Sequence, residues 1–180
     1  MDNKAIRQSM IQKRLDLTPS QRQQKNEALA AAVFHYINPY QTIGLYCSYN
    51  GEVDTYGLME SWFWDTDRIL AVPSIVNDAL IFHPVRGFDD LREGVKGILA
   101  STQSAVLSKG DLDVILVPLV AFNEQKYRIG YGKGYYDRYL SDYPGIKVGL
   151  AYDFQCTNAL ELHSQDIAMD VIITDADVLL

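Results

Sequence analysis

The sequence predicts an α/β fold around a largely parallel sheet with helices against its faces. Three observations carry that prediction. Short β-branched or apolar runs, "TIGLYCSY", "RILAVPSI", "LIFHPV", "DVILVPLVAF", "IKVGLAY" and "DVIITD", recur between residues 42 and 175, bounded by Gly, Pro, Asp and Asn. Several lack polar alternation, as strands covered on both faces do. Helical segments fall between some of them, near residues 54–64 and 133–143, and such alternation is the pattern of a sheet layered with helices.

The elements follow in order. Residues 3–15 read as an amphipathic helix with Ile6, Met10 and Ile11 on its apolar side. Lys4, Arg7 and Arg14 share a narrow arc of it, because steps of three and seven residues nearly return to one azimuth. In "LTPSQRQQKNEALAAAVFHYI", Thr18 suits the N-cap and Pro19 the first position of a second helix that ends near His35. Asp54 or Thr55 would cap the helix near 54–64, where Trp62 and Trp64 alternate so as to bury one ring and expose the other. His83 in "IFHPV" reads as a satisfied strand residue. Residues 86–110, "RGFDDLREGVKGILASTQSAVLSKG", are the least regular part and read as loop with short helical pieces. Loops of that length in compact domains are often functional.

The length, 180 residues, suits one domain over 1–180. With 48% apolar and 22% charged residues the chain can bury a full core. A net charge of −7 argues against nucleic acid or an anionic membrane surface as partner. The longest apolar run, "VILVPLVAF", has nine residues including a proline, against the ~20 that a membrane helix needs. The opening residues are charged and carry no apolar signal core. Cys47 and Cys156 have no CxxC spacing, which fits a reduced, cytoplasmic protein, expected as a monomer or weak homodimer. Of the 16 cations, Lys4, Arg7, Lys13, Arg14, Arg22 and Lys25 fall in the first 25 residues, against Asp2 and Asp16. That basic opening suggests an anionic ligand, or else a solvated helix face.

The candidate site centres on "KYRIGYGKGYYDRYL", which places three glycines in five positions between a buried strand and a helix. Ligands in open α/β sheets collect at this edge. Gly130, Gly132 and Gly134 can take positive φ and admit a ligand close to the main chain. Successive amides in such a loop form an anion-binding nest, reinforced by the following helix N-terminus. Arg128 and Lys133 add positive charge, so the loop looks built for phosphate. It is neither the GxxxxGK[ST] loop nor GxGxxG, because no Ser or Thr follows the lysine and Tyr135 stands where a third glycine belongs. Asp137 either complements the helix dipole or binds magnesium held on nucleotide phosphates. Tyr131, Tyr135 and Tyr136 either pack on the sheet or stack on a flat heterocycle.

"VILVPLVAFNEQKYRIGYGKGYYDRYL" closely resembles the signature of 5-formyltetrahydrofolate cyclo-ligases, also called methenyltetrahydrofolate synthetases. The likeness extends to "KAIRQSMIQKR", "GLYCSYNGEVDT" and "GLAYDFQ…HSQDIAMDVIITD", in the family's order and over almost the whole chain. The resemblance implies a Rossmann-like three-layer sandwich (NagB/RpiA/CoA-transferase-like). It also implies ATP- and magnesium-dependent conversion of 5-formyltetrahydrofolate to 5,10-methenyltetrahydrofolate, with release of ADP and phosphate. By position, Arg7 matches a nucleotide contact with Lys4 beside it. Arg128, Ile129, Gly130, Tyr131, Gly132, Lys133, Gly134, Tyr135 and Tyr136 match the ATP loop, in which Arg128 and Lys133 supply catalytic charge. Tyr131, Gly132, Lys133, Gly134 and Tyr135 also border the folate. Asp137 and Asp166 match the metal acids, Glu52 a substrate acid and Cys47 an apolar substrate contact. The sequence departs from the family pattern at "GILAS", where many members have a GIxEP-like segment, and at "HSQD", where EPHD is usual.

Other plans find little support. No GxSxG elbow is present, and His35, His83 and His163 form no HExxH pair. Glu52 could equally be a strand-end acid before a helix. A non-catalytic nucleotide or folate binder is the alternative from another class. A sugar-phosphate isomerase or acyl-transfer enzyme fits the basic helix and glycine loop poorly.

Overall fold

A computed structural model describes residues 2–180. The chain runs α1 (Asn3–Leu15), α2 (Pro19–Ile37), β1 (Thr42–Leu45), α3 (Tyr56–Trp62), β2 (Ile69–Val76), β3 (Ala79–Val85), β4 (Leu91–Glu93) and β5 (Leu99–Ser101). It continues through β6 (Val114–Pro118), β7 (Ala121–Phe122), β8 (Arg128–Ile129), α4 (Tyr135–Leu140), β9 (Ile146–Leu150), β10 (Val171–Ile173) and β11 (Val178–Leu179). All six expected strand segments and all four expected helices are present. The first helix has the expected bounds, and the second starts at Pro19 with Thr18 as its N-cap. Thr18 Oγ1 accepts from the Gln21 amide while the Gln21 side chain accepts from the Thr18 amide, a closed capping box. At the other end, Arg68 donates to the carbonyl of Ile37 (3.4 Å), one of those a helix leaves unpaired, and to those of Asn38 (3.1 Å) and Tyr40 (2.6 Å) just beyond it. Asp54, rather than Thr55, caps α3 with its side chain, accepting from the Tyr56 amide at 3.0 Å.

Seven strands form one sheet in the order β11-β10-β9-β6-β1-β2-β3. The inner run β10-β9-β6-β1-β2 is parallel, and antiparallel β3 and β11 close the edges. From β1 the chain winds outward to β2, and from β6 it winds the other way to β9 and β10. The reversal therefore falls between β1 and β6, whose carboxyl ends open the crevice where α/β sheets take ligands.

The missing polar alternation in the strands has its cause in the layers. On one face Ile43, Leu45, Leu116 and Val148 meet Leu29, Val33 and Ile37 of α2 and Leu58, Met59 and Trp62 of α3. On the other Ile115, Val117 and Ile172 meet Phe82, Tyr139 and Leu140. Gly44 points into that second layer, where a Cβ would lie 3.0 Å from the Phe82 ring. Trp62 is buried and Trp64 is 87% exposed, as their alternation suggested. His83 Nδ1 lies 2.9 Å from the Ala105 carbonyl oxygen.

Two expectations need correction. "DVILVPLVAF" does not make one strand: the β6 ladder stops at Pro118, and Ala121–Phe122 pairs instead with β8 in a separate hairpin. Residues 86–110 are not loop with helical pieces alone, because β4 and β5 pair within them. That hairpin is docked, with Leu91 buried and the Phe88 ring 5.2 Å from Phe63. Its strands are three residues each, too short to show a period in sequence. Among the described residues no helix is long and apolar enough to cross a membrane.

The capping box sets where α2 begins and hence one wall of the cleft described below. Thr18→Ala is expected to cost about 1 kcal/mol in urea unfolding without changing the slope.

Candidate functional site

The site is assembled by a hairpin that returns the chain to the end of β6. At its turn Asn123 Oδ1 accepts from the Tyr127 amide (3.0 Å), and Lys126 takes the left-handed conformation with φ 66°. Arg128 and Ile129 thus come back beside Val120 and Ala121 and lead into Gly130–Gly134. Ile6 and Met10 of α1 pack against Val120, Ala121 and Ile129, a small core of their own. Burying those side chains sets the azimuth of α1 and turns its basic arc toward the glycine loop. Arg7 and Arg14 are therefore turned toward protein, whereas Lys4 stays on a solvated face.

Arg7 Nε donates to the Gly130 carbonyl at 2.7 Å. Gly132 and Gly134 take positive φ (+89° and +68°), as expected. Gly130 does not, and a Cβ there would make only an ordinary contact, 3.5 Å from Arg128 Nη1, so neither backbone conformation nor lack of room requires glycine at this position. A Cβ on Gly132 would lie 3.4 Å from the Arg7 guanidinium carbon, so this glycine and Arg7 are packed face to face. Lys4, one turn earlier, is exposed and makes no side-chain hydrogen bond among the described residues. Lys133 is exposed at the loop tip, its carbonyl accepting from Arg138 at 2.9 Å.

Arg14, at the far end of the arc, is wholly buried. It donates to the carbonyls of Asn50 (3.0 Å) and Leu119 (3.3 Å) and to the Tyr131 hydroxyl (2.7 Å). Tyr131 in turn lies 3.2 Å from Glu52 Oε1, while Glu52 Oε2 accepts from the Tyr49 amide at 3.0 Å. The Tyr49 and Tyr131 ring centres lie 5.4 Å apart with the planes tilted by 41°. Burial pushes the Glu52 carboxyl up to about 7, and the Tyr49 amide, Arg14 and Tyr131 hold it from rising further. Cys47, just before, is buried with its thiol pushed up to about 12, so it offers an uncharged surface.

Arg128 is also buried. Its Nη2 lies 3.1 Å from Asp137 Oδ1, and its guanidinium carbon lies 5.8 Å from the Tyr136 ring centre. Burial lowers the Arg128 pKa, and the Asp137 carboxylate opposes that shift. Asp137 sits in the first turn of α4, as expected, but its partner is a buried side chain as well as the helix. The same Oδ1 accepts from the Ile167 amide at 3.3 Å, which draws the segment carrying Asp166 against it. Asp166 accepts from the His163 amide at 2.7 Å. Tyr135 and Tyr136 pack on the second core layer, so packing accounts for them, whereas Tyr131 stands partly exposed at the site.

A cleft of about 860 Å³ opens beside this network. Glu52 and Tyr49 form one wall, Tyr56 and Leu58 another, and Arg22, Asn26 and Phe34 of α2 a third. Glu52 thus presents a carboxylate to a cleft able to hold a flat, hydrogen-bonding ring, with the glycine loop adjoining through Tyr131. For a cation the available donors are Oδ2 of Asp137 and Oδ1 of Asp166, neither of which makes a protein hydrogen bond among the described residues. Hard carboxylate oxygens suit magnesium, which takes one or two of them and fills its shell with water and phosphate oxygens. Among the described residues no group of three or more His, Cys, Asp or Glu is gathered for a metal.

Sequence reasoning missed Arg14, Tyr49 and Arg22. Arg14 belonged to the basic arc, but the arc itself does not say which cation is buried. Arg22 donates to the carbonyls of Gly51 and Arg14 and ties the end of α1 to the loop after β1.

Residues 1–175 match the 5-formyltetrahydrofolate cyclo-ligase family. A 5-formyltetrahydrofolate cyclo-ligase of Mycoplasma pneumoniae is 30% identical over 181 residues, 97% of this chain and 99% of that one. One of Escherichia coli strain K12 is 30% identical over 178 residues, 93% and 97% of the two chains. Among solved structures, the 5,10-methenyltetrahydrofolate synthetase of Aquifex aeolicus superposes with a TM-score of 0.87 at 31% identity, over 97% of this chain and 90% of that one.

The positive φ at Gly132 and its contact with Arg7 yield a test of the loop. Gly132→Ala is expected to cost roughly 1–2 kcal/mol in urea unfolding, from left-handed strain and displacement of the guanidinium. Gly130→Ala, at ordinary φ, should cost clearly less in the same measurement.

Proposed function

The chain belongs to the 5-formyltetrahydrofolate cyclo-ligase family, and from that we propose a single cyclo-ligase domain over residues 1–180 that converts 5-formyltetrahydrofolate to 5,10-methenyltetrahydrofolate. ATP is the co-substrate, magnesium accompanies it, and ADP and phosphate leave. One observation carries the reading. Tyr131 belongs to the glycine loop and yet hydrogen-bonds Glu52 on the cleft wall, so a phosphate group on the loop and a ring in the cleft would meet.

The chemistry asks for that juxtaposition. A formamide carbon is a poor electrophile, and expelling its oxygen requires activation. Transfer of the γ-phosphoryl group to the formyl oxygen makes that oxygen a leaving group. The neighbouring folate nitrogen then attacks the carbon, the ring closes and phosphate departs. Such transfer depends on positioning and charge stabilisation more than on covalent help. In this reading the loop amides of residues 129–134 and the side chains of Lys4, Arg7, Arg128 and Lys133 hold the phosphates. Arg128 and Lys133 meet the charge that develops on transfer. Arg128 has the fixed geometry that role needs, since burial and Asp137 hold it in place. Asp137 and Asp166 would hold magnesium, which when bound neutralises phosphate charge. Tyr131, Gly132, Lys133, Gly134 and Tyr135 border the folate and Cys47 supplies an apolar contact. Glu52 accepts hydrogen bonds from the amide or amino edge of the pterin: each carboxylate oxygen has one protein donor and a lone pair to spare. Both cysteines are free, and we place the protein in the reducing cytoplasm.

The decisive experiment mixes the protein with 5-formyltetrahydrofolate, magnesium and ATP and follows the near-ultraviolet absorbance of the methenyl product. Product that forms only with ATP is expected. Binding of both ligands without turnover would instead make the protein a non-catalytic binder, and equal product without ATP would sink the reading. The pH profile supplies a second check. The acceptor role needs Glu52 ionised, and the carboxyl releases its proton only through about pH 7. The kcat/KM for the folate should therefore fall ~10-fold per pH unit on the acid side of that value. In Glu52→Gln this limb should flatten at a lower overall rate.

A further inference from the structure

We propose that Arg14 is a positioning residue for this reaction, one that fixes the Tyr131 hydroxyl as a donor to Glu52 and so locks the glycine loop onto the substrate acid. The inference rests on the cyclo-ligase reading of the site.

A guanidinium has donors and no acceptor. The short Arg14 contact therefore uses the Tyr131 oxygen as acceptor, and the tyrosine's own proton is left for Glu52 Oε1. The direction of the chain Arg14, Tyr131, Glu52 has no second solution while the carboxylate is charged. Arg14 also straddles the point where the sheet reverses its winding. It binds the loop after β1 at Asn50, the end of β6 at Leu119 and the glycine loop at Tyr131, with its guanidinium carbon 5.9 Å from the Tyr131 ring centre. Gly51, with φ +74°, lets that loop close on α1: a Cβ there would lie 3.2 Å from Arg14 Cβ.

Several other groups face Glu52: the Tyr49 amide and phenol, Tyr46 and Cys47 after β1, Tyr56 of α3 and Tyr136 of α4. Burial raises the pKa of each of these side chains, so near pH 7 they are neutral. Arg14 is the cation that acts on the carboxylate, and Tyr131 transmits its effect through a hydrogen bond. A buried charge without compensation is costly, so each end of this chain stabilises the other.

The test uses Arg14→Lys, Tyr131→Phe and the double variant, with folding followed by circular dichroism. Each single variant is expected to lower kcat/KM for 5-formyltetrahydrofolate roughly 10- to 100-fold, the range for a lost hydrogen bond to a charged group. The double variant should lose little more than the worse single one, because both remove one chain of contacts. In Tyr131→Phe the acid limb of kcat/KM should move above about pH 7, since the lost hydrogen bond is an influence that lowers the Glu52 pKa, whereas Arg14→Lys keeps the cation and should move the limb less. Additive losses with an unmoved limb would leave Arg14 a merely structural residue and overturn the proposal. Should Arg14→Lys not fold, the limb of Tyr131→Phe decides alone: a shift supports the proposal and an unmoved limb overturns it. A wild type that forms no methenyl product refutes the reaction itself. Infrared titration of Glu52 in the unliganded wild type and Tyr131→Phe then still judges this inference, a shift upward supporting it and none overturning it.

Discussion

The carboxyl edge of the sheet depends on a buried positive charge. Arg14 has no exposed surface, and taking a guanidinium out of water costs several kcal/mol unless polar groups replace the solvent. Two carbonyls, a phenol and, beyond it, a carboxylate do so here. They come from residues 36 to 117 positions away in the chain, so pairing the two Nη groups of one guanidinium, whose Nε stays buried without a partner, fastens α1, the loop after β1, the end of β6 and the glycine loop together. Arg128 repeats the device at the start of the glycine loop. It is buried against Asp137, which also holds the Ile167 amide. Guanidiniums thus gather at the entry to the glycine loop: Arg128 precedes it, Arg7 meets the Gly130 carbonyl and Arg14 the Tyr131 hydroxyl.

That arrangement works against stability in one respect. The Glu52 carboxyl keeps its proton to about 7 in the folded chain, against an ordinary 4.5. A raised folded pKa means that the folded state binds the proton more tightly than the unfolded chain does. The contribution is complete below the ordinary value and is lost as pH rises through about 7. Near neutrality the fold therefore carries a carboxylate that burial disfavours, at the wall of the cleft where the proposed substrate needs an acceptor. Arg14 and Tyr131 limit that cost without removing it.

The glycines divide into two kinds by physical cause. Gly132 and Gly134 are required by left-handed backbone, which a side chain would strain. Gly130 has ordinary φ and room for a methyl group beside the Arg128 head group, so it belongs to neither kind. Gly44 instead lacks room within the layers, where a Cβ would press on the Phe82 ring, and Gly51 combines left-handed backbone (φ +74°) with a tight approach to Arg14. A run of glycines in sequence looks uniform, yet only the fold tells conformational need from lack of room.

The sequence by itself determined what local and periodic physics can determine. The buried strand runs, the Thr18–Pro19 start of α2, the bounds of α1 and the glycine loop between strand and helix were all legible, because each is set by neighbours within a few residues. The signature around Arg128–Asp137 was legible for the same reason, being one unbroken segment. Tertiary structure alone decided the rest. Pro118 ends β6 and sends Ala121 to a different partner strand; the β4–β5 hairpin buries Leu91 just after the turn that sets Phe88 on Phe63; and of three cations on one helical arc, Lys4 stays exposed, Arg7 meets a carbonyl and Arg14 is buried. Helical periodicity places residues on an azimuth, but which azimuth faces protein is settled only when Ile6 and Met10 find Val120 and Ile129, more than a hundred residues further along the chain.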